Sequence, residues 1–173
     1  LAEAVLIAGD RIESVGSTQE VLAAAGPDAA ITDLDGKALF PGFIDTHSHL
    51  SMYSAWSEHV YCGVEVESVQ GALGRLAARA RGLKPGELVF GWGFDDSGLS
   101  DNRGPTRQEL DAVAPDHPVL VVHISVHLAY ANTRALRLAG LIAQDGRPEH
   151  VDGGEVVSDG NGQAQGLLRE MAA

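Results

Sequence analysis

Apolar positions recur with helical spacing at Val69, Ala72, Leu73, Leu76, Ala77 and Ala80, and Arg75, Arg79 and Arg81 fall off that stripe. The pattern predicts an amphipathic helix over 67–82, ended by Gly82 and kept from resuming by Pro85. Two further helices announce themselves by their caps. Thr106 with Glu109 forms a capping box behind Pro105, and Asn132 opens a helix that runs to Gly140. Ser17 with Glu20 marks a shorter helix that stops at Gly26. Between these lie strand-like runs: "AVLIAGDRIESVG" folds back at Gly9-Asp10, "ELVFGWG" covers 87–93, and "PVLVVHIS" at 118–125 is the richest in β-branched residues. A further apolar strand is expected to run through "PGFIDTHSHL", 41–50, towards His47. At the end, "GGEVVSDGNGQAQG" predicts a hairpin near 153–166 and "LLREMAA" the start of a helix.

The opening segment is therefore β-rich, and the remainder alternates strand and helix, the signature of a parallel α/β sheet or barrel. In such folds ligands gather at the carboxyl ends of strands. His47 and His49, Asp95 and Asp96, and His127 each fall at or just past a predicted strand end.

Composition narrows the partners. A 173-residue chain with 45% hydrophobic residues can bury a real core, and a net charge of −12 repels polyanions. Neither nucleic acid nor membrane is expected, and no apolar run reaches transmembrane length. Cys62 is the lone cysteine, which fits a reducing, cytoplasmic setting.

His47 and His49 would share one face of a strand, two imidazoles aimed at one spot, with Asp45 on the same face as a group that could orient a ring. Neutral imidazole suits zinc and similar divalent ions. The other chemistries have weaker signals. "GWGFDD" lacks the third glycine of a dinucleotide loop, no G-x-S-x-G elbow exists, and Cys62 has only His59 nearby in sequence as a base. His59, His117 and His150 read as surface residues, and Tyr53, Trp56 and Tyr61 as packing groups.

"PGFIDTHSHL" resembles the first-strand motif of the amidohydrolase superfamily. "GWGFDDSGL", "PTRQELDAVAPDHPVLVVH", "HLAYANTRALRLAGL" and "GGEVVSDGNGQAQGLLRE" resemble, in the same order, the branch that contains N-substituted formamide deformylase. The resemblance implies an α/β fold: the opening portion of a TIM-type (β/α)8 barrel at 41–173, and part of a composite β-sandwich at 1–40. It implies one or two divalent metals, most simply zinc, with His47 and His49 as ligands, and Trp92, Asp95 and His127 at the substrate. The sequence departs from its relatives at Val126, where they usually carry glycine; a side chain there restricts the backbone beside His127.

The implied activity is hydrolysis of a C–N bond in an amide or formamide by metal-activated water. Deamination of a cyclic amidine is the alternative on the same barrel. A complete barrel takes roughly 250 residues, and no residue here matches the family's acid/base aspartate or later ligands; Lys37 and Lys84 both lie in turns. The chain is accordingly expected to be an amino-terminal portion of a larger enzyme, inactive alone or serving as a non-catalytic scaffold module. Its expected partners are a small amide-type molecule and the remainder of its own chain, and its open strand edge allows a homo-oligomer.

Overall fold

The computed structural model describes residues 1–173, which divide into two units, Leu1–Thr46 and His47–Ala173. In the first unit, β1 (Ala4–Ala8) and β2 (Arg11–Gly16) form an antiparallel hairpin, with Gly9 at φ 60° in the turn where a Cβ would be strained. Helix α1 (Thr18–Ala24) follows. Ser17 caps it: its Oγ accepts from Glu20 N at 3.3 Å while Glu20 Oε2 accepts from Ser17 N at 3.1 Å, the capping box the sequence predicts.

The apolar run before His47 is not a strand. Residues 37–48 make no ladder, and Phe43 and Ile44 are 91% and 87% exposed. An extended apolar segment becomes a strand only by joining a ladder, and these residues join neither of the two sheets. Helix α2 (Leu50–Trp56) begins directly after the histidines, with His49 at its N-cap position.

The second unit is built on a six-stranded sheet of order β3-β4-β5-β6-β8-β7. The short β3 (Val60–Tyr61), β4 (Val89–Phe94) and β5 (Val119–His123) are parallel. Helix α3 (Val69–Ala80) crosses from β3 to β4 and α4 (Arg107–Val113) from β4 to β5, as parallel neighbours require. Then the direction changes: β6 (Leu128–Ala131) returns antiparallel to β5, β8 (Ala164–Glu170) lies antiparallel to β6, and β7 (Gly154–Ser158) closes the edge as a hairpin with β8. Helix α5 (Thr133–Leu138) leads from β6 towards that hairpin. The sheet is thus mixed rather than parallel throughout. Leu167 to Glu170, expected to begin a helix, instead extend β8, because Leu168 is buried between ladder partners on both sides.

The period-2 alternation of the strands fills two cores. Val119, Val121 and Tyr130 face a cluster with Leu73, Leu76, Val89, Phe94 and Leu110, whereas Ala129, Ala131 and Leu168 face one with Leu136, Ile142 and Val156. The α3 stripe read from sequence is the buried face: Val69, Ala72, Leu73, Leu76 and Ala80. Ser68 Oγ accepts from Gly71 N at 3.2 Å and Asp101 Oδ2 from Val69 N at 2.7 Å, so two otherwise orphaned helix donors are satisfied. Burying a leucine such as Leu76 contributes about 2 kcal/mol, and Leu76→Ala would also leave a cavity, for a total loss of about 3 kcal/mol.

His117 is not at the surface. It is buried, its Nδ1–H donating to Glu87 O at 3.0 Å, because the segment leading into β5 runs beside the segment leading into β4. No helix is long and apolar enough to cross a membrane.

Candidate active site

His47 and His49 meet at their Nε2 atoms, 3.0 Å apart, with ring planes at 82°. The i, i+2 convergence expected of a strand is reached by a bend that feeds the first turn of α2. Two nitrogens bound about 2.0–2.1 Å from one ion can lie no more than about 4.2 Å apart, so this donor pair fits a shared divalent ion. Both side chains are exposed.

The carboxyl ends of β4 and β5 carry the second group of residues. Gly93, at φ 75°, forms a bulge that shifts the β4–β5 register between Trp92↔Val122 and Phe94↔His123. A Cβ on Gly93 would lie 2.7 Å from the Tyr61 ring, so both backbone angle and space demand glycine. The bulge sends Phe94 into the core and leaves Asp95, Asp96 and His123 at the strand ends.

Trp92 is the centre of an aromatic group: Tyr61 lies at 4.7 Å, Tyr53 at 5.4 Å edge-on and Trp56 at 6.4 Å between ring centroids. Its indole Nε1 is buried without a hydrogen-bond acceptor. An indole N–H ordinarily finds a partner, so this donor is poised for an acceptor. The packing reading of Tyr53, Trp56 and Tyr61 holds.

Asp95 caps a 3-10 turn at Asp96–Gly98: its Oδ1 accepts from Ser97 Oγ at 2.6 Å and from Ser97 N at 3.0 Å. Those hydrogen bonds hold its carboxyl below the usual range, with a smaller contribution from His123. Asp96 Oδ1 lies 3.3 Å from His123 Nε2. Burial, and secondarily the charge of Asp96, pushes the Tyr130 phenol up to about 12.

His123 is the residue that sequence reasoning missed. It ends the run "PVLVVH", and the strand-end argument applied to the other candidates applies equally to it. Asp95, Asp96 and His123 bring three potential ligand atoms within 4.8 Å of one another. The hydrogen bonds of His123 tell against ligation by its Nε2. Ser125 N donates to Nδ1 at 3.1 Å, so in the neutral ring Nδ1 is bare and the proton sits on Nε2, facing Asp96.

His127 points elsewhere. Its Nδ1 is 2.9 Å from Glu170 Oε2, both groups are well exposed, and Glu170 N donates to His127 O at 2.9 Å. Val126 before it adopts φ 62°, the left-handed conformation that a glycine would occupy without strain. Asn132 is the cap the sequence predicts: Oδ1 accepts from Ala135 N at 2.9 Å. Cys62 is buried, and desolvation pushes its thiol up to about 11, which removes it as a nucleophile.

An amidohydrolase family model matches residues 30–173. N-substituted formamide deformylase from Arthrobacter pascens is 40% identical over 99% of this chain and 31% of its own length. Protein LONG AFTER FAR-RED 3 from Arabidopsis thaliana is 28% identical over 99% of this chain and 28% of its own. A crystal structure of an uncharacterized metal-dependent hydrolase from Pyrococcus horikoshii OT3 aligns with TM-score 0.49 and 26% identity, over 97% of this chain and 30% of that one. The chain thus spans just under a third of the curated relatives it matches. With its family model covering most of its length, including the histidine pair and the β4 and β5 strand ends, the chain belongs to the amidohydrolase family.

Proposed function

We propose that the protein is a metal-dependent hydrolase of a C–N bond in an amide or formamide. The reading rests on one observation above the others: within an amidohydrolase chain, His47 and His49 aim their Nε2 atoms at one point, 3.0 Å apart. A divalent ion held there, most simply zinc, would supply a water that ionises near neutral pH. His47 and His49 provide two neutral nitrogen donors, half of a four-coordinate set, and the remainder of the set and the acid/base aspartate come from outside these residues. In the wider proposal 41–173 open a TIM-type barrel and 1–40 contribute to a β-sandwich.

The chain's own residues have distinct parts in this scheme. The unpartnered Trp92 N–H offers a donor to a substrate carbonyl or leaving group, with Tyr53, Tyr61 and Trp56 packing its ring in place. Asp95, held ionised by Ser97, offers its second carboxylate oxygen to a substrate N–H. His127 joins them in the substrate role only by leaving Glu170. The buried single thiol of Cys62 suits the cytoplasm.

Elemental analysis of the purified protein and of His47→Ala and His49→Ala tests the assignment. The expected result is bound zinc or another divalent ion in the parent and its loss in each variant, together with any turnover of amides or formamides. Retention of metal and turnover in either variant overturns it.

A further inference from the structure

The bond that makes His123 a poor metal ligand gives it a different capability. Ser125 Oγ lies 2.8 Å from His123 Nδ1. Nδ1 already accepts from Ser125 N, so it carries a lone pair, and an oxygen at this distance must present its proton. The hydroxyl is therefore fixed as a donor to Nδ1. Its oxygen in turn accepts from His127 N at 3.3 Å, a bond that favours the oxygen as it loses its proton. On the far side of the ring Nε2 is sealed from solvent, and its carboxylate neighbour is Asp96 at 3.3 Å, within ion-pair reach but off the hydrogen-bond axis. Such bonds commonly tighten only when substrate binds.

The members come from separate places in the fold. His123 ends β5, Ser125 follows it in an exposed turn, and Asp96 stands beyond the end of the neighbouring β4. The His123 side chain is only 12% exposed, which holds the imidazole rigidly while Ser125 faces solvent. A hydroxyl bonded to one ring nitrogen and a carboxylate beside the other is the set of groups that activates a serine, recognised by roles rather than by sequence position.

We infer that Ser125, His123 and Asp96 form a second, metal-independent acyl-transfer site, with Ser125 Oγ as nucleophile towards activated esters. Ser125 Oγ attacks the ester carbonyl and passes its proton to His123 Nδ1, while Asp96 stabilises the imidazolium. The tetrahedral adduct then expels the alcohol or phenol, which receives the proton, and leaves an acyl ester on Ser125. Water attacks that ester with His123 as base, releases the carboxylic acid and restores the hydroxyl.

The test is incubation of the protein with p-nitrophenyl acetate in EDTA, followed by peptide mass mapping and stopped-flow release of p-nitrophenolate. Acetylation of Ser125, its absence in Ser125→Ala, and an acylation rate at least about 100-fold lower in His123→Gln are expected, with a reduced rate in Asp96→Asn; urea unfolding verifies that each variant is folded. Acetyl groups only on lysines or the amino terminus overturn the inference, as does an unchanged rate in His123→Gln or Asp96→Asn. Acylation abolished by EDTA also overturns it and returns the activity to the metal centre. The His47 and His49 assignment stands or falls separately, since metal content decides it.

Discussion

Asn132 Nδ2 donates to the carbonyl oxygen of His117 at 2.8 Å, fifteen residues earlier and inside the core. The same side chain accepts through Oδ1 from Val119 N at 3.0 Å and Ala135 N at 2.9 Å. One amide thereby ties the entry of β5 to the first turn of α5. Asn132→Ala strands a buried carbonyl, a buried N–H at Val119 and a part-buried N–H at Ala135, and each of these costs about 1 kcal/mol. The expected loss is about 3 kcal/mol in urea unfolding. Asn132→Asp keeps the acceptor but replaces the donor by a charge facing the His117 carbonyl, and it should destabilise at least as much.

Val126 tests strain of the opposite sense. A β-branched residue at φ 62° sits in a region disfavoured by roughly 1–2 kcal/mol. Val126→Gly relieves that strain and loses little packing, since the side chain is exposed. Glycine's greater freedom in the unfolded chain offsets part of the gain. A net stabilisation of about 1 kcal/mol is expected, read as a higher urea midpoint at unchanged slope.

Gly93 should tolerate nothing larger. Gly93→Ala combines φ 75° with a methyl group pressed on the Tyr61 ring. A loss of about 3 kcal/mol is expected. Because Tyr61 packs on Trp92 at 4.7 Å, the change should also shift the tryptophan emission, and an unaltered spectrum would argue against the bulge as the device that sets Trp92.

Acid should weaken the fold through Glu109. Arg103 grips its carboxylate with two bonds of 2.8 Å, and Thr106 N and Oγ1 add bonds of 2.8 and 2.9 Å. Arg103 first, then Thr106, holds its pKa at about 2 against an ordinary 4.5. A depressed folded-state pKa stabilises above the unfolded value, and that stabilisation is lost as pH falls from about 4.5 to about 2. The shift corresponds to at most about 3 kcal/mol. With the side chain 31% exposed, solvent screening reduces this to about 1 kcal/mol. In Glu109→Gln the slope of stability against pH over this window should flatten.

Elements with local signals were legible in the sequence. The capping boxes at Ser17 and Thr106, the Asn132 cap and the α3 stripe each state their helix within a few residues, and the structure repeats them. What escaped depends on distant partners. Strand β6 is four residues with three buried, so no alternation marks it. "LLRE" is made of helix formers, yet ladders to β6 and β7 carry it into β8. The run before His47 has the composition of a strand yet lies in neither sheet. Within the candidate site, the spacing of His47 and His49 pointed to converging rings, although a bend and not the expected strand brings them together. The strand-end position of His123 was equally visible, but its partners were not, because only the fold places Asp96 and Ser125 around it.

The single thiol has a practical consequence. Cys62 is sealed from solvent, held protonated, and has no second cysteine to exchange with. A maleimide can reach it only when the packing of α3 over β3 and β4 opens. One chain therefore carries one internal clock, and the rate at which that sulfur is captured in native buffer counts the excursions of this half of the sheet away from its folded state.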